Sequence, residues 1–298
     1  MQTSEHDSEL GRWRAAWRGA AAPLRPFVQA YFGSESALPE PLRERHLPSF
    51  GVSLVINFAS PHRLLGQDGA DAHCGRRAWV VGVQDAWRLA EAAGEREFLV
   101  AQMTPLGAHH VLRERMGLIS GRILDLDAID AGFARLLLAR VDAAVGWEAR
   151  IEALETALIE RLCVRATGPS LASAALARLR SGEGDIGVLA RTLGRSHRHL
   201  IAAFRDEIGL TPKAVSRLLR FERALAAINC GRGSDYPSGK PYLDGAGDAG
   251  RRGRASLQWS DLALGCGYYD QSHLINEFRA YSGDTPEAFR RRVAEAAA

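Results

Sequence analysis

The stretch "LARTLGRSHRHLIAAFRDEIGLTP", residues 189–212, is said again as "LALGCGYYDQSHLINEFRAYSGDTP", residues 262–286. Leu189/Leu262, Ala190/Ala263 and Gly194/Gly267 match at an offset of 73. Leu200/Leu274, Phe204/Phe278, Arg205/Arg279, Gly209/Gly283, Thr211/Thr285 and Pro212/Pro286 match at an offset of 74. The one-residue slip falls in a turn, where an insertion costs least. Each shared residue has a physical job in a helix-turn-helix. Ala190 and Ala263 are small where two helices cross closely, and Gly194 and Gly267 supply a positive φ at the end of the first helix. Ser196 and Asp270 are placed to cap the second helix by accepting from its first free amides. Leu and Phe four residues apart anchor that helix to a core, and Gly209 and Gly283 end it.

If Leu200 and Phe204 point inward, then His197, Arg198, Ile201, Ala202 and Arg205 point outward on the helix capped by Ser196. In the second copy Gln271, Ser272, Ile275, Asn276 and Arg279 hold the equivalent surface, with His273 at its margin. Solvated helix faces tend toward Lys and Glu, and a single polar-faced hairpin is about as often plain surface as anything else. Two copies that instead offer Arg, Gln, Asn, Ser and His present the groups that pair with base edges in the major groove. The free amides at each helix start, with Arg205 and Arg279 nearby, suit phosphate.

Outward from the hairpins, "KAVSRLLRFERALAAI", residues 213–228, reads as one helix joining them. Residues 229–258 hold seven glycines, two prolines and almost no aliphatic side chains, the composition of a flexible surface loop. Toward the N-terminus, "RATGPS" at 165–170 breaks a helix with Gly and Pro, and the domain boundary is placed there. Before it, "WEARIEALETALIERL" carries Ile151, Leu154, Leu158 and Leu162 on one stripe, and a helix begins at Pro105 in "PLGAHHVLRERMG". Residues 46–104 read as strands, with "VSLVINFA" at 52–59, "AWVVGV" at 78–83 and "EFLVAQM" at 97–103.

The chain of 298 residues is long enough for two domains, and its 46% hydrophobic and 24% charged content is that of an ordinary soluble protein. Residues 171–298 hold 19 Lys+Arg against 14 Asp+Glu, whereas residues 1–170 hold 19 against 21. A basic half joined to a mildly acidic one fits a protein of which one part meets a polyanion. No apolar run is long enough to span a bilayer, the first twenty residues lack the apolar core of a signal peptide, and a cytoplasmic location is expected. Cys74, Cys163, Cys230 and Cys266 form no C-x-x-C pair and no zinc-like cluster with histidine, so neither structural disulfides nor a metal or cofactor site is expected.

Over residues 171–293 the chain resembles the AraC/XylS family of transcription regulators. The resemblance rests on both hairpins, the joining helix pattern and the closing "GDTPEAFRRR". It implies an α+β protein: an N-terminal sensor or oligomerisation domain of strands and helices (1–168), then an all-α DNA-binding domain (169–298). The latter would hold helix-turn-helix units at about 186–212 and 259–286, a linker helix at about 213–228 and the insertion at 229–258. It implies no enzymatic activity but sequence-specific binding of double-stranded promoter or operator DNA. Two recognition helices would enter successive major-groove segments about one turn, roughly 34 Å, apart.

RNA polymerase, a small-molecule effector and a second copy of the chain are the other partners the resemblance implies, and no membrane. Carried over by position, Arg198 and Ile201, and Gln271, Ser272 and Asn276, face bases, with Arg198 suited to guanine and Gln271 or Asn276 to adenine. Ala202 departs from the longer polar side chain common there, so the first helix reads fewer bases, with a thymine methyl as the contact open to Ala202. The insertion lengthens a junction that is normally short, and tolerance is the favoured reading because long surface loops cost little closure entropy.

The first half resembles N-terminal regions of such regulators less specifically, through "RHLPSFGVSLVINFASP", "VVGVQDAW" and "MTPLGAHHVL". Trp79, Trp87, His109 and His110 could line a pocket there, although core tryptophans and surface histidines are commoner. His73-Cys74 invites a metal or redox reading but has no partner in sequence. Two competing classes are an enzyme with a reactive cysteine fused to a DNA-binding domain and a non-specific nucleoid protein. The first needs a base near Cys74 or Cys163, and the second needs far more positive charge.

Overall fold

A computed structural model describes residues 1–8, 11–59, 63–65, 71–74, 77–163, 169–182, 185–229 and 258–295. The inserted loop, of which 230–257 are not included, lies outside the described residues. The chain is α+β, with a strand-rich first part followed by helices. Strands β1 (Gln2–Ser8), β2 (Gly11–Gly19), β3 (Val28–His46), β4 (Val52–Asn57), β5 (Arg63–Leu65), β6 (Asp71–Cys74), β7 (Ala78–Val81), β8 (Arg88–Met103) and β9 (Ile123–Asp125) form one antiparallel sheet in the order β1-β2-β3-β8-β4-β7-β9. β5 pairs with β6 and with β8.

The strands expected at 52–59, 78–83 and 97–103 are β4, β7 and the end of β8. β1, β2 and most of β3 were not expected, yet β2 carries a period-two signal: Trp13, Ala15 and Trp17 alternate with Arg14, Ala16 and Arg18. β3 contains Pro39 and Pro41, which deny the ladder two donors. Its pairing with β8 shifts register between Leu38 and Leu42, the disruption that lets prolines sit inside a strand.

Three helices pack beside the sheet: α1 (Pro105–Leu112), α2 (Leu126–Ala143) and α3 (Gly146–Cys163). α1 starts on Pro105, with the Thr104 hydroxyl accepting from Gly107 N–H at 3.0 Å. The expected stripe on α3 faces the core, with Ile151, Leu154 and Leu158 fully buried and Leu162 packed at its edge. α3 lies so close to the sheet that a Cβ on Gly33 would fall 2.4 Å from the Trp147 ring. α2 is broken at Asp130 (φ −152, ψ 92), whose carboxylate accepts from Phe133 N–H at 2.9 Å and so caps the continuation of the helix.

The second part is all helix: α4 (Leu171–Arg180), α5 (Ile186–Thr192), α6 (His197–Glu207), α7 (Pro212–Asn229), α8 (Trp259–Gly265), α9 (Gln271–Ser282) and α10 (Pro286–Glu295). α7 ends at Asn229 and α8 begins just after Gln258, so ordered helix abuts the insertion on both sides. One cluster of buried apolar side chains runs from Ala16 in the sheet to Phe289 in α10, so the two parts share a core.

Candidate nucleic-acid interface

The helical hairpins are α5 with α6 and α8 with α9, and their shared residues do the work the sequence assigned them. Gly194 and Gly267 have φ of 63° and 87°, and Ala190 and Ala263 are buried between the helices. The Ser196 hydroxyl accepts from His199 N–H at 3.2 Å, and the Asp270 carboxylate accepts from His273 N–H at 2.7 Å. Each cap satisfies an amide that the first turn cannot pair, and is worth about 1 kcal/mol. Leu200, Phe204, Leu274 and Phe278 have no exposed surface, and each contributes roughly 1.5–3 kcal/mol by burial. Phe278 meets Phe221 of α7 at 5.1 Å and Phe289 of α10 at 5.6 Å between centroids, which fixes α9 against both neighbours. Gly209 and Gly283, with φ of 91° and 79°, end α6 and α9.

The anchors leave the opposite faces outside. Ser196, His197, Arg198, Ala202 and Arg205 are exposed and Ile201 is half-buried. His197, Arg198, Ile201, Ala202 and Arg205 together line one shallow, open depression along α6. On α9, Gln271, Ser272, Asn276 and Arg279 are exposed and Ile275 is half-buried. His273 differs from its neighbours: Nδ1 accepts from Tyr269 N–H at 3.3 Å and Nε2 faces the Glu277 carboxylate at 3.4 Å, so the ring turns back along the helix. Tyr268 is packed in the hairpin, and burial together with the Glu277 charge raises its phenol well above the usual tyrosine range. Tyr269 is 84% exposed immediately before the capping residue.

Glu277 is a participant that the sequence pattern alone does not reveal. It is buried between α9 and α7, where Arg217 Nε donates to it at 3.1 Å and Arg220 Nη2 at 3.2 Å. Burial works against the Arg217 charge, but the hydrogen bond to Glu277 and the nearby Tyr281, Glu277 and Asp85 outweigh it and raise its pKa.

The sheet-bearing part holds both hairpins. Arg45, at the end of β3, donates to Ser282 O at 2.9 Å and to the Asp284 carboxylate at 2.8 Å, with its guanidinium 4.8 Å from the Trp87 ring centroid. Arg292 pairs with the same Asp284 carboxylate. Phe50 N–H donates to Glu222 of α7 at 2.8 Å. The first hairpin is held by residues 115–120: Arg115 pairs with Asp206 at 2.7 Å, and a Cβ on Gly117 would sit 2.9 Å from Arg205 O.

The aromatic and histidine residues of the first half go to separate places. Trp79 is core, Trp87 lies under Arg45, His109 Nδ1 donates to Glu114 O at 2.9 Å, and His110 meets the edge of Phe27 at 5.7 Å. Among the described residues no cluster of three or more His, Cys, Asp or Glu could hold a metal, and no helix is long and apolar enough to cross a membrane. The Cys266 thiol is buried, and burial pushes it up to about 11, the opposite of the shift that makes a nucleophile.

No family model matches the sequence, and no curated protein matches it. Solved structures similar to this chain include a variant of ToxT from Vibrio cholerae without ligand, at 9% identity and TM-score 0.45, covering 92% of this chain and 99% of that one. Another structure of ToxT from Vibrio cholerae is 6% identical at TM-score 0.43, covering 95% and 98%. The AraC-like transcriptional activator CuxR is 10% identical at TM-score 0.31, covering 68% and 80%.

Proposed function

We infer that this protein is a sequence-specific DNA-binding transcription regulator that reads two successive major-groove segments through α6 and α9. The observation that carries this is the duplication itself. Two capped helices, each pinned by a buried Leu/Phe pair, turn outward an exposed face of arginine and neutral hydrogen-bonding groups. Buried anchors fix each helix in rotation, so its outer side chains meet a groove in a defined register. Arg198 on α6 has the fork geometry for guanine N7 and O6, and Gln271 and Asn276 on α9 have the paired donor and acceptor for adenine. Ile201 and Ala202 offer methyl surface for thymine. Ser196 and Tyr269 flank the free amides of the two helix starts, which suit phosphate, while Arg205 and Arg279 offer a cation to phosphate from the last turns of α6 and α9, and Ser272 stays with the base-facing residues. His197 and His273 flank the readers, and His273 is engaged on its inner side.

We divide the chain at 168/169 into a regulatory first domain and this reader. The first domain is assigned regulation because it grips the end of each hairpin, through Arg45 at α9 and residues 115–120 at α6. A small-molecule effector or a second copy of the chain acting on that domain would reach the DNA through those contacts, and RNA polymerase is the partner that such a regulator would address.

Selection of bound duplexes from a random pool tests the reading directly. A shared motif with two recognisable halves, about one helical turn apart, is expected. Arg198→Ala and Gln271→Ala should each weaken binding to the selected duplex by about 1–3 kcal/mol and relax base preference in different halves. Equal losses on selected and random duplexes would reduce both side chains to phosphate contacts and defeat the reading.

A further inference from the structure

Glu277 has no place among the base-facing residues, and its surroundings are specific. It sits one position after Asn276 on α9 and is 6% exposed. Two guanidiniums from α7 converge on it, with Arg217 Nε 3.1 Å from Oε2 and Arg220 Nη2 3.2 Å from each oxygen. Tyr281 lies against Arg217 and Tyr268 against Arg220, each ring centroid 5.5 Å from the guanidinium carbon, so the charges are walled by aromatic rings. One turn earlier on α9, His273 Nε2 is 3.4 Å from the same carboxylate. Its Nδ1 accepts the Tyr269 N–H, and a ring nitrogen that accepts carries no proton. The imidazole hydrogen is therefore on Nε2, the nitrogen that lies 3.4 Å from the Glu277 carboxylate. A continuous polar chain runs from α7 through Glu277 and His273 to the backbone just before the Asp270 cap.

The first hairpin has the same histidine, with no carboxylate one turn on from it. His199 aligns with His273 and Ala203 with Glu277. His199 is exposed, and the alanine at 203 has no group to hold it. The two units therefore differ in how firmly their DNA-facing ends are set, although their anchors and caps are alike.

Resting on the reading of α9 as a recognition helix, we propose that Glu277 is a positioning residue which, through His273, fixes the Tyr269–Asp270 segment and so presets the orientation in which the second unit meets DNA. Apolar packing of Leu274 and Phe278 sets which face of α9 turns toward the core. The hydrogen bonds from Arg217 and Arg220 are directional and define one rotation of α9 against α7. The second unit is accordingly the one whose helix start carries a further polar link to α7.

The test uses the full chain and duplexes from its own random-pool selection, with each base pair of both halves replaced in turn. Glu277→Gln keeps the volume and removes the charge. It should lower affinity roughly ten-fold, the scale of lost preorganisation, and flatten base preference only in the half that Gln271→Ala identifies with α9. His273→Asn places its carbonyl near the Nδ1 position and keeps the bond to Tyr269 N–H but does not reach Glu277, so it should flatten the same half, and adding Glu277→Gln to it should change nothing further. His273→Gln reaches toward Glu277, leaves that amide unmet and should lose the preference. A merely structural role for Glu277 would instead make the effects of Glu277→Gln and His273→Asn add. Should Glu277→Gln fail to fold, the His273 pair, at a partly exposed position, carries the test alone. Wild-type preference in the α9 half for Glu277→Gln or for His273→Asn, equal flattening in both halves, or additive effects of the two substitutions would overturn the positioning role. A wild-type chain with no base preference at all would instead sink the recognition-helix reading, and would be seen before any variant is made.

Discussion

Replacing Gly209 with alanine probes whether the first hairpin is wedged against the sheet-bearing part as tightly as the structure indicates. Gly209 has φ of 91°, and a Cβ there would fall 1.8 Å from Ser120 Oγ, 2.7 Å from Met116 O and 2.8 Å from Ser120 Cβ. Gly194 is the built-in control, because its φ is 63° but a Cβ would meet nothing within 4 Å. Left-handed backbone costs an L-residue about 1–2 kcal/mol, and both variants carry that cost. Only Gly209→Ala adds overpacking, about 1–3 kcal/mol when neighbours must move. The expected destabilisation is therefore about 2–5 kcal/mol for Gly209→Ala and about 1–2 kcal/mol for Gly194→Ala, read by equilibrium urea unfolding with far-ultraviolet circular dichroism. Adding Ser120→Gly removes two of the three obstructing atoms and leaves Met116 O, so it should restore part of the difference. It sacrifices no hydrogen bond, since Ser120 Oγ is buried without a partner. If Gly209→Ala cost no more than Gly194→Ala, the close contact between residues 116–120 and the end of α6 would be wrong, and with it the contact through which the sheet-bearing part holds the first hairpin.

Two further outcomes follow from single side chains. Asp270→Ala removes the cap on α9 and should cost about 1 kcal/mol in urea unfolding, with base preference weakened in the half read by α9 and unchanged in the other; an unchanged midpoint would deny the cap. Asp130 accepts from the Phe133 amide and from Arg161 at 2.8 Å, and these hold its carboxyl below the usual carboxylate range despite the opposing effect of burial. A depressed folded pKa contributes stability that is present above the unfolded pKa and lost as pH falls through the folded one. Asp130→Asn should therefore melt lower than wild type at neutral pH, with the gap closing as pH falls below the ordinary carboxylate range; a gap independent of pH would refute the charge's role.

What the sequence made legible was what depends on neighbours in the chain. Gly194, Ser196, Leu200 and Phe204 lie within eleven residues, and spacing alone tells which amide is capped and which side chains share a face. The strands were less legible. β8 runs through Ala90, Ala92, Ala93 and Gly94, poor strand formers, because pairing with β3 along most of its length overrides propensity. The prolines in β3 argue against a strand until the register shift beside them is seen. α2 shows how one side chain can hide an element: the break at Asp130 interrupts the 3.6-residue period just where a reader of the sequence would count it.

The residues that join the two parts were illegible for a different reason. Arg45 and Asp284 stand 239 positions apart, and Phe50 and Glu222 stand 172 apart, so no local pattern pairs them. Glu277 occupies the middle ground. Alone, a glutamate on a polar helix reads as solvated, and burial of its carboxylate is favourable only because Arg217 and Arg220 stand one turn apart on α7 to receive it. Comparison of the two hairpins contains the missing signal. Positions the copies share, the alanines, glycines, Leu and Phe, build the hairpin, and selection for that framework explains why they repeat. Positions where they differ are free of that demand, and there the second copy has a buried glutamate where the first has Ala203. A charge that costs desolvation and is not needed by the sister hairpin calls for a partner in its own, and beyond the two arginines the group it meets is His273 at the start of α9.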